Sequence, residues 1–242
     1  MPHLANSHIS NWTPDELPDL SGKRMIITGG NSGIGYEAAK ILAARNADVV
    51  LACRNEAKGK QALAKLVNMG TGRAELLRLD LADLTSIRAA AAEAKERFGA
   101  IYALINNAGV MQTPKSKTKD GFEMQLGTNH LGHFAWTMQM MDAVDGRGGR
   151  VVTVASIAHK FGRIDLDNLM MERGYDPTRS YARSKLANLI FALELHRRLE
   201  VAGSRIKSVA CHPGYASTPL FSKTANPLSR VAQQVSSPLF AQ

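Results

Sequence analysis

Cysteine is scarce: only Cys53 and Cys211 occur in 242 residues. Each lies in or at the end of an apolar, strand-like run, where a free thiol behaves as a small buried hydrophobe. A reducing, cytoplasmic setting is expected. No uninterrupted apolar window is long enough to cross a bilayer. The stretch from Met1 through Asp19, broken by Pro2, Pro14 and Pro18, lacks the apolar core of a secretory signal, and residues 1–20 read as an N-terminal extension. Internal repeats are missing, which excludes solenoids and arrays. Acidic residues are in deficit, 21 against 30 Lys+Arg, for a net charge of +9. The basic residues are nevertheless scattered. Their densest stretch, Lys115, Lys117 and Lys119, alternates with Ser and Thr and has no interleaved aromatics for base stacking, so a solvated loop is expected and a nucleic-acid partner is not. Part of the excess favours a polyphosphate ligand.

What the chain does contain is an ordinary globular composition, 45% hydrophobic and 21% charged, which fits one domain over residues 21–242. Short β-branched or apolar runs alternate with helical patterns, the signature of a parallel sheet covered on both faces. The strands are predicted at Met25–Thr28, Asp48–Cys53, Ala74–Asp80, Ile101–Asn106, Arg150–Ala155 and Arg205–Cys211, near-continuously apolar as doubly buried strands should be. Helices are predicted at Gly33–Arg45, Glu56–Met69, Leu84–Phe98, Gly121–Asp142 and Ser180–Val201, with Asn55 and Asp83 placed as N-caps. The fold class is α/β: a single-domain, Rossmann-type, doubly wound sheet whose ligand site lies at the carboxyl ends of its strands. After Cys211 no further strand is legible in the proline-broken tail, so the usual last edge strand is missing from the pattern and the C-terminal part is expected to be truncated or disordered.

Directly after the first strand comes Thr28-Gly29-Gly30-Asn31-Ser32-Gly33-Ile34-Gly35, and directly after that a helix. Gly29 can adopt backbone angles closed to other residues, Gly33 removes a side chain where a diphosphate must approach, and Gly35 lets the helix pack closely on the strand. Gly29, Asn31, Ser32, Gly33, Ile34 and Gly35 are therefore expected to line a dinucleotide's phosphates at the helix N-terminus. The spacing is neither the commoner G-x-G-x-x-G nor a P-loop, and away from a strand–helix junction it would be read as a plain turn.

Folds that select NAD carry an acidic residue at the end of the second strand. This chain has Cys53-Arg54, and a guanidinium there can hold a 2′-phosphate, so NADP is expected, with NAD left open by the nearby Glu56. Asp80 and Leu81, ending the third strand, would border the adenine or serve a turn. Asn106-Asn107-Ala108-Gly109 ends the fourth strand with small residues that permit close approach of a ligand to backbone; it also reads as a turn.

Tyr181 and Lys185, four apart on a predicted helix, project from one face. A neighbouring ammonium favours an ionised phenol, whose reference pKa is near 10, and so brings Tyr181 toward acid–base use. Ser156 ends the fifth strand, where its hydroxyl can orient a substrate oxygen. Asn129 sits mid-helix, an unfavourable place for an amide without a specific partner.

The combination resembles the short-chain dehydrogenase/reductase family over Ser21 to Pro219. The family's pattern is met by Thr28, Gly29, Gly33 and Gly35, by Asn106 through Gly109, and by the set Asn129, Ser156, Tyr181 and Lys185. By that resemblance, Tyr181 and Lys185 also contact the cofactor, with Lys185 on the nicotinamide ribose. Asn129 holds a water that relays protons, and Pro213, Gly214 and Thr218 meet the carboxamide. The resemblance implies hydride transfer between NADP(H) and an alcohol or carbonyl. A nucleotide-sensing regulator that binds NADP(H) without turnover is the reading from another class; the complete catalytic set weighs against it, since a sensor needs no proton relay.

One departure from many family members is the connection from Ser156 to Tyr181, with Phe161, Leu166, Leu169, Met170 and Met171 in it. That length, with Ala52-Cys53-Arg54-Asn55, Thr128-Asn129-His130-Leu131-Gly132-His133-Phe134 and Ser184-Lys185-Leu186-Ala187-Asn188, is most similar to the retinol dehydrogenase and WW-domain oxidoreductase branch. A fairly apolar small-molecule substrate follows as an expectation. A homo-oligomer is compatible with the sequence. His130, His133 and His159 have no carboxylate or thiolate nearby in sequence to complete a ligand set, so polar packing is expected and a metal is not.

Overall fold

The computed structural model describes residues 13–68 and 73–213. Six parallel strands form one sheet in the order β3-β2-β1-β4-β5-β6. They are β1 (Arg24–Thr28), β2 (Asp48–Cys53), β3 (Ala74–Arg78), β4 (Ala103–Asn106), β5 (Arg150–Val154) and β6 (Lys207–Cys211). Helices α1 (Gly33–Ala44), α2 (Glu56–Val67) and α3 (Leu84–Phe98) follow the first three strands. Between β4 and β5, α4 (Met124–Leu126) continues through a π-helical turn, Gly127–Leu131, into α5 (Gly132–Met140). The longest helix, α6 (Pro177–Val201), joins β5 to β6.

The apolar strands divide their side chains between two cores because successive residues point to opposite faces. Met25, Ile27, Val49, Leu51 and Ala103 pack with Ala39, Ala43, Ala62 and Leu66 of α1 and α2. Ile26, Val50, Leu77, Leu104 and Val151 face α3, α5 and α6 through Ile87, Ala91, Trp136, Met140, Phe191 and Leu195. Each fully buried aliphatic side chain contributes about 1.5–3 kcal/mol, so both faces of the sheet must be covered. The winding reverses between β1 and β4, which are hydrogen-bonded neighbours. Such a reversal opens a crevice at the carboxyl ends of those two strands.

Asn55 accepts from Lys58 N at 2.9 Å, and Asp83 from Thr85 N at 2.8 Å, as caps of α2 and α3. The helix predicted over Gly121–Asp142 starts later and changes pitch at the π turn. Its start is set by Glu123, which is buried and accepts from Gln125 N and Leu126 N at 2.9 and 2.7 Å. Strand β6 is the last of the described sheet, and Cys211 at its end is exposed rather than buried, whereas Cys53 is buried. The expectation about a missing edge strand falls beyond residue 213, outside the described residues. Among the described residues no helix is long and apolar enough to cross a membrane.

Candidate active site

The turn after β1 is shaped by close backbone approaches. Gly29 has φ +66, and a Cβ there would lie 3.0 Å from Ala108 Cα. At Gly35 a Cβ would fall 2.5 Å from Asn107 Nδ2 and 2.7 Å from the Gly29 carbonyl oxygen, so only glycine fits. Ser32 stands at the N-cap of α1, but its side chain accepts no helix N–H. The first turn of α1, from Gly33 through Ile34 to Gly35, is thus left without a side-chain cap, with its partial positive charge facing the crevice. A narrow, glycine-lined cradle ending in an uncapped helix suits a diphosphate.

Beside the cradle, the segment after β4 is held by Thr28. The Thr28 hydroxyl accepts the backbone N–H groups of Asn107 and Ala108, each at 2.9 Å, while Asn107 Nδ2 donates to the Thr28 carbonyl at 2.8 Å. The Asn107 amide therefore supports the turn rather than facing a ligand. At the end of β2, Arg54 is 67% exposed and its Nε lies 4.0 Å from Asp80 Oδ2. Asp80 Oδ1 also accepts from Ala82 N at 3.0 Å, so the carboxylate closes a turn at the same rim. Glu56 pairs with Lys60 one helical turn on, at 2.7 Å, whereas the ion-pair partner of Arg54 is Asp80.

The expected reacting groups meet across β4, β5 and α6. Tyr181 is 9% exposed, with its phenol beside the Ser156 side chain, whose hydroxyl accepts from Ala158 N at 3.3 Å. Burial pushes its phenol above the ordinary value, and the Ser156 side chain works in the opposite direction. Lys185 Nζ donates to the Val154 carbonyl at 2.9 Å and stands 5.8 Å from the Tyr181 ring centre. Burial pushes Lys185 itself down to about 8, with Cys211 acting weakly the other way.

Asn129 is completely buried. Its Oδ1 accepts from Val110 N at 2.8 Å, and its Nδ2 donates to the Val110 carbonyl and the Ser184 hydroxyl, both at 2.9 Å. Its place mid-helix is explained by this clamp on the segment after β4. A Cβ on Gly109 would stand 3.2 Å from Asn129 Oδ1 and 3.8 Å from Lys185 Nζ, which puts all three around one small space.

His133 is buried, with Nδ1 2.9 Å from the Asn129 carbonyl and Nε2 2.8 Å from the Thr28 hydroxyl. His130 packs against Phe134 and Phe191, and His159 Nδ1 contacts the Ser156 carbonyl at 2.6 Å. Among the described residues no group of three or more His, Cys, Asp or Glu could hold a metal ion. Pro213 is exposed at the end of the described chain, and Gly214 and Thr218 lie outside the described residues. Sequence reasoning missed Ser184, whose hydroxyl links Asn129 to the Tyr181 carbonyl, and the buried Gln125 and Arg183, whose partners are distant in sequence.

The model of the short chain dehydrogenase family matches residues 23–228. This chain belongs to that family. Human retinol dehydrogenase 11 is 46% identical to it over 198 residues, covering 81% of this chain and 61% of the relative. Mouse polyprenol dehydrogenase is 40% identical over 217 residues, covering 87% and 65%. The chain thus spans less than two thirds of the length of these curated relatives. A solved protein from Mycobacterium Paratuberculosis superposes with a TM-score of 0.78 at 41% identity, covering 90% of this chain and 82% of that one. Within the family, this short-chain dehydrogenase falls in the retinol dehydrogenase-like branch, and members of the family are oxidoreductases that use NAD or NADP.

Proposed function

We propose that this short-chain dehydrogenase is an NADP-preferring oxidoreductase for the alcohol or carbonyl group of a fairly apolar small molecule, with Tyr181 as the acid and base. The observation that carries this reading is the meeting of Tyr181, Ser156 and Lys185 beside the glycine-lined cradle.

The Gly29–Gly35 turn, with Asn31, Ser32 and Ile34, and the open end of α1 would hold the diphosphate. Arg54 would take the 2′-phosphate, Asp80 and Leu81 would flank the adenine, and the Asn107–Gly109 segment would form the floor, supported from behind by Thr28. Pro213, Gly214 and Thr218 would close over the carboxamide end. When bound, the nicotinamide supplies or accepts the hydride.

The protein's own work is proton handling and placement. In reduction, Tyr181 gives its phenolic proton to the carbonyl oxygen; a phenol already holds that proton at neutral pH, and burial works in the same direction. Ser156, beside the same phenol, would hold the substrate oxygen next to it and stabilise the developing alkoxide. In oxidation the phenol must first ionise, and a Lys185 ammonium released from Val154 would favour that state. Asn129 keeps the Val110 backbone fixed, and a water on the lone pair its Oδ1 leaves open would carry the proton onward.

The direct test is dinucleotide-coupled turnover of aldehydes and ketones of increasing apolar size, using NADPH and NADH in parallel. NADPH-dependent turnover that improves with apolar size is expected. Tight dinucleotide binding without turnover of any carbonyl or alcohol would instead fit a nucleotide-sensing regulator.

A further inference from the structure

Arg183 sits on α6 midway between Tyr181 and Lys185, and therefore projects from another face of the helix. It is 7% exposed. Its Nε donates to the Arg163 carbonyl at 3.1 Å, and its Nη1 donates to the Asn168 and Leu169 carbonyls, both at 2.7 Å. Among the described residues, its recorded partners are three backbone carbonyl oxygens and no carboxylate. A buried cation is tolerated only when its donors are met, so guanidinium and carbonyls fix each other. A planar fork suits carbonyls arriving from separate points along a chain.

All three carbonyls belong to the 157–176 connection, which leaves directly from Ser156 and returns at α6. The start of this connection is seated on the same helix: a Cβ on Gly162 would fall 2.6 Å from the Ala182 carbonyl oxygen and 2.8 Å from Leu186 Cβ. Its end is held by Gln125, whose Nε2 donates to the Tyr175 hydroxyl at 3.2 Å and the Pro177 carbonyl at 2.9 Å. Tyr175 in turn donates to the Thr113 carbonyl at 2.8 Å. Arg183 holds the middle. On either side of Arg163 the connection carries two large apolar side chains, Phe161 and Leu166, that are 82% and 80% exposed.

We infer that the 157–176 connection is a preformed wall of the substrate site and that Arg183 is the positioning residue that sets it, governing discrimination between long and short apolar substrates. This rests on the oxidoreductase reading above. Ser156 is placed by β5 and Tyr181 by α6, so a short carbonyl compound needs only those two. A long apolar chain must in addition lie along the wall that departs from Ser156.

R183K and R183M test this against the unaltered protein. Lysine keeps the charge but offers one compact ammonium in place of the fork, and methionine removes the donors at similar length. Three measurements are made: NADPH affinity by fluorescence, kcat/KM for decanal and propanal, and tryptic cleavage at the exposed Lys160, Arg163 and Arg173. Both variants are expected to keep NADPH affinity and to be cut faster in the connection. Their decanal-to-propanal ratio of kcat/KM should fall about tenfold, mainly through KM for decanal. R183M should melt earlier than R183K, without restoring the ratio.

An unchanged ratio and cleavage rate in R183K would overturn the inference. Parallel loss for both aldehydes together with NADPH affinity would reduce Arg183 to general stability and also overturn it. If the unaltered protein turned over neither aldehyde, size selection would be overturned, while the oxidoreductase reading would be decided separately by the wider panel of carbonyls and alcohols. Cleavage rates would still decide whether Arg183 holds the connection.

Discussion

The Thr28 hydroxyl lies 2.8 Å from Nε2 of His133, and the same oxygen accepts two backbone N–H groups, from Asn107 and Ala108. That hydroxyl also lies 3.3 Å from the Ile105 carbonyl, so the tautomer is set at the other nitrogen: the Asn129 carbonyl can only accept, which leaves Nε2 of the neutral ring as the acceptor. Nδ1 then carries the imidazole proton and donates to the Asn129 carbonyl at 2.9 Å. One neutral ring thereby joins the end of β1, the segment after β4 and the π turn that carries Asn129.

The ring's neutrality has a pH consequence. Burial pushes His133 down to about 3 from an ordinary 6.5. A group whose folded value is depressed binds fewer protons in the fold than in the unfolded chain, so its contribution is fully present above pH 6.5 and is lost as pH falls toward 3. His133→Gln keeps a donor and an acceptor without titrating. Urea unfolding across that interval should show a shallower loss of stability in the variant than in the unaltered protein; equal slopes would contradict the assignment.

Gly35→Ala should damage the cradle. The new methyl group would arrive 2.5 Å from Asn107 Nδ2 and 2.7 Å from the Gly29 carbonyl oxygen, and the Asn107 amide cannot move without releasing the Thr28 carbonyl. A loss of roughly 1–3 kcal/mol in stability is expected from overpacking, together with weaker dinucleotide binding by calorimetry. Full affinity in a protein of unaltered stability would show that the turn is not the diphosphate site.

Arg54→Glu should move cofactor preference from NADP toward NAD, since a carboxylate at the end of β2 accepts ribose hydroxyls and repels a phosphate. The ratio of kcat/KM for the two dinucleotides is the readout. Because Asp80 already lies 4.0 Å from Arg54, the substitution also puts two carboxylates at one rim. Identical ratios before and after would mean that a different group reads the 2′-phosphate.

Much of this architecture is legible in the sequence because local chemistry determined it. Strand β2 and helix α3 fall where apolar runs and the Asp83 cap place them. The glycine turn follows from its position between β1 and α1. Other features are set by partners far along the chain. The π turn keeps the same apolar stripe as an α-helix, so periodicity does not reveal it. Helix α6 starts at Pro177, before the predicted Ser180, because Asp176 accepts from Arg179 N at 2.7 Å as its cap and Pro177 fits the first turn. Tyr181 and Lys185 do share a helix and a neighbourhood, yet the lysine's resting bond to Val154 depends on how α6 lies over β5. The Arg183 and Gln125 contacts likewise exist only once the 157–176 connection has folded back.

The account's central claim is that the Tyr181 oxygen moves the proton while other groups bind the dinucleotide. Tyr181→Phe removes that oxygen and little else, so NADPH affinity and turnover of a validated carbonyl substrate should be measured on the same preparation. Affinity close to the unaltered protein's, with turnover lower by about two to four powers of ten, is the expected result. Turnover retained at the original rate would contradict the claim outright.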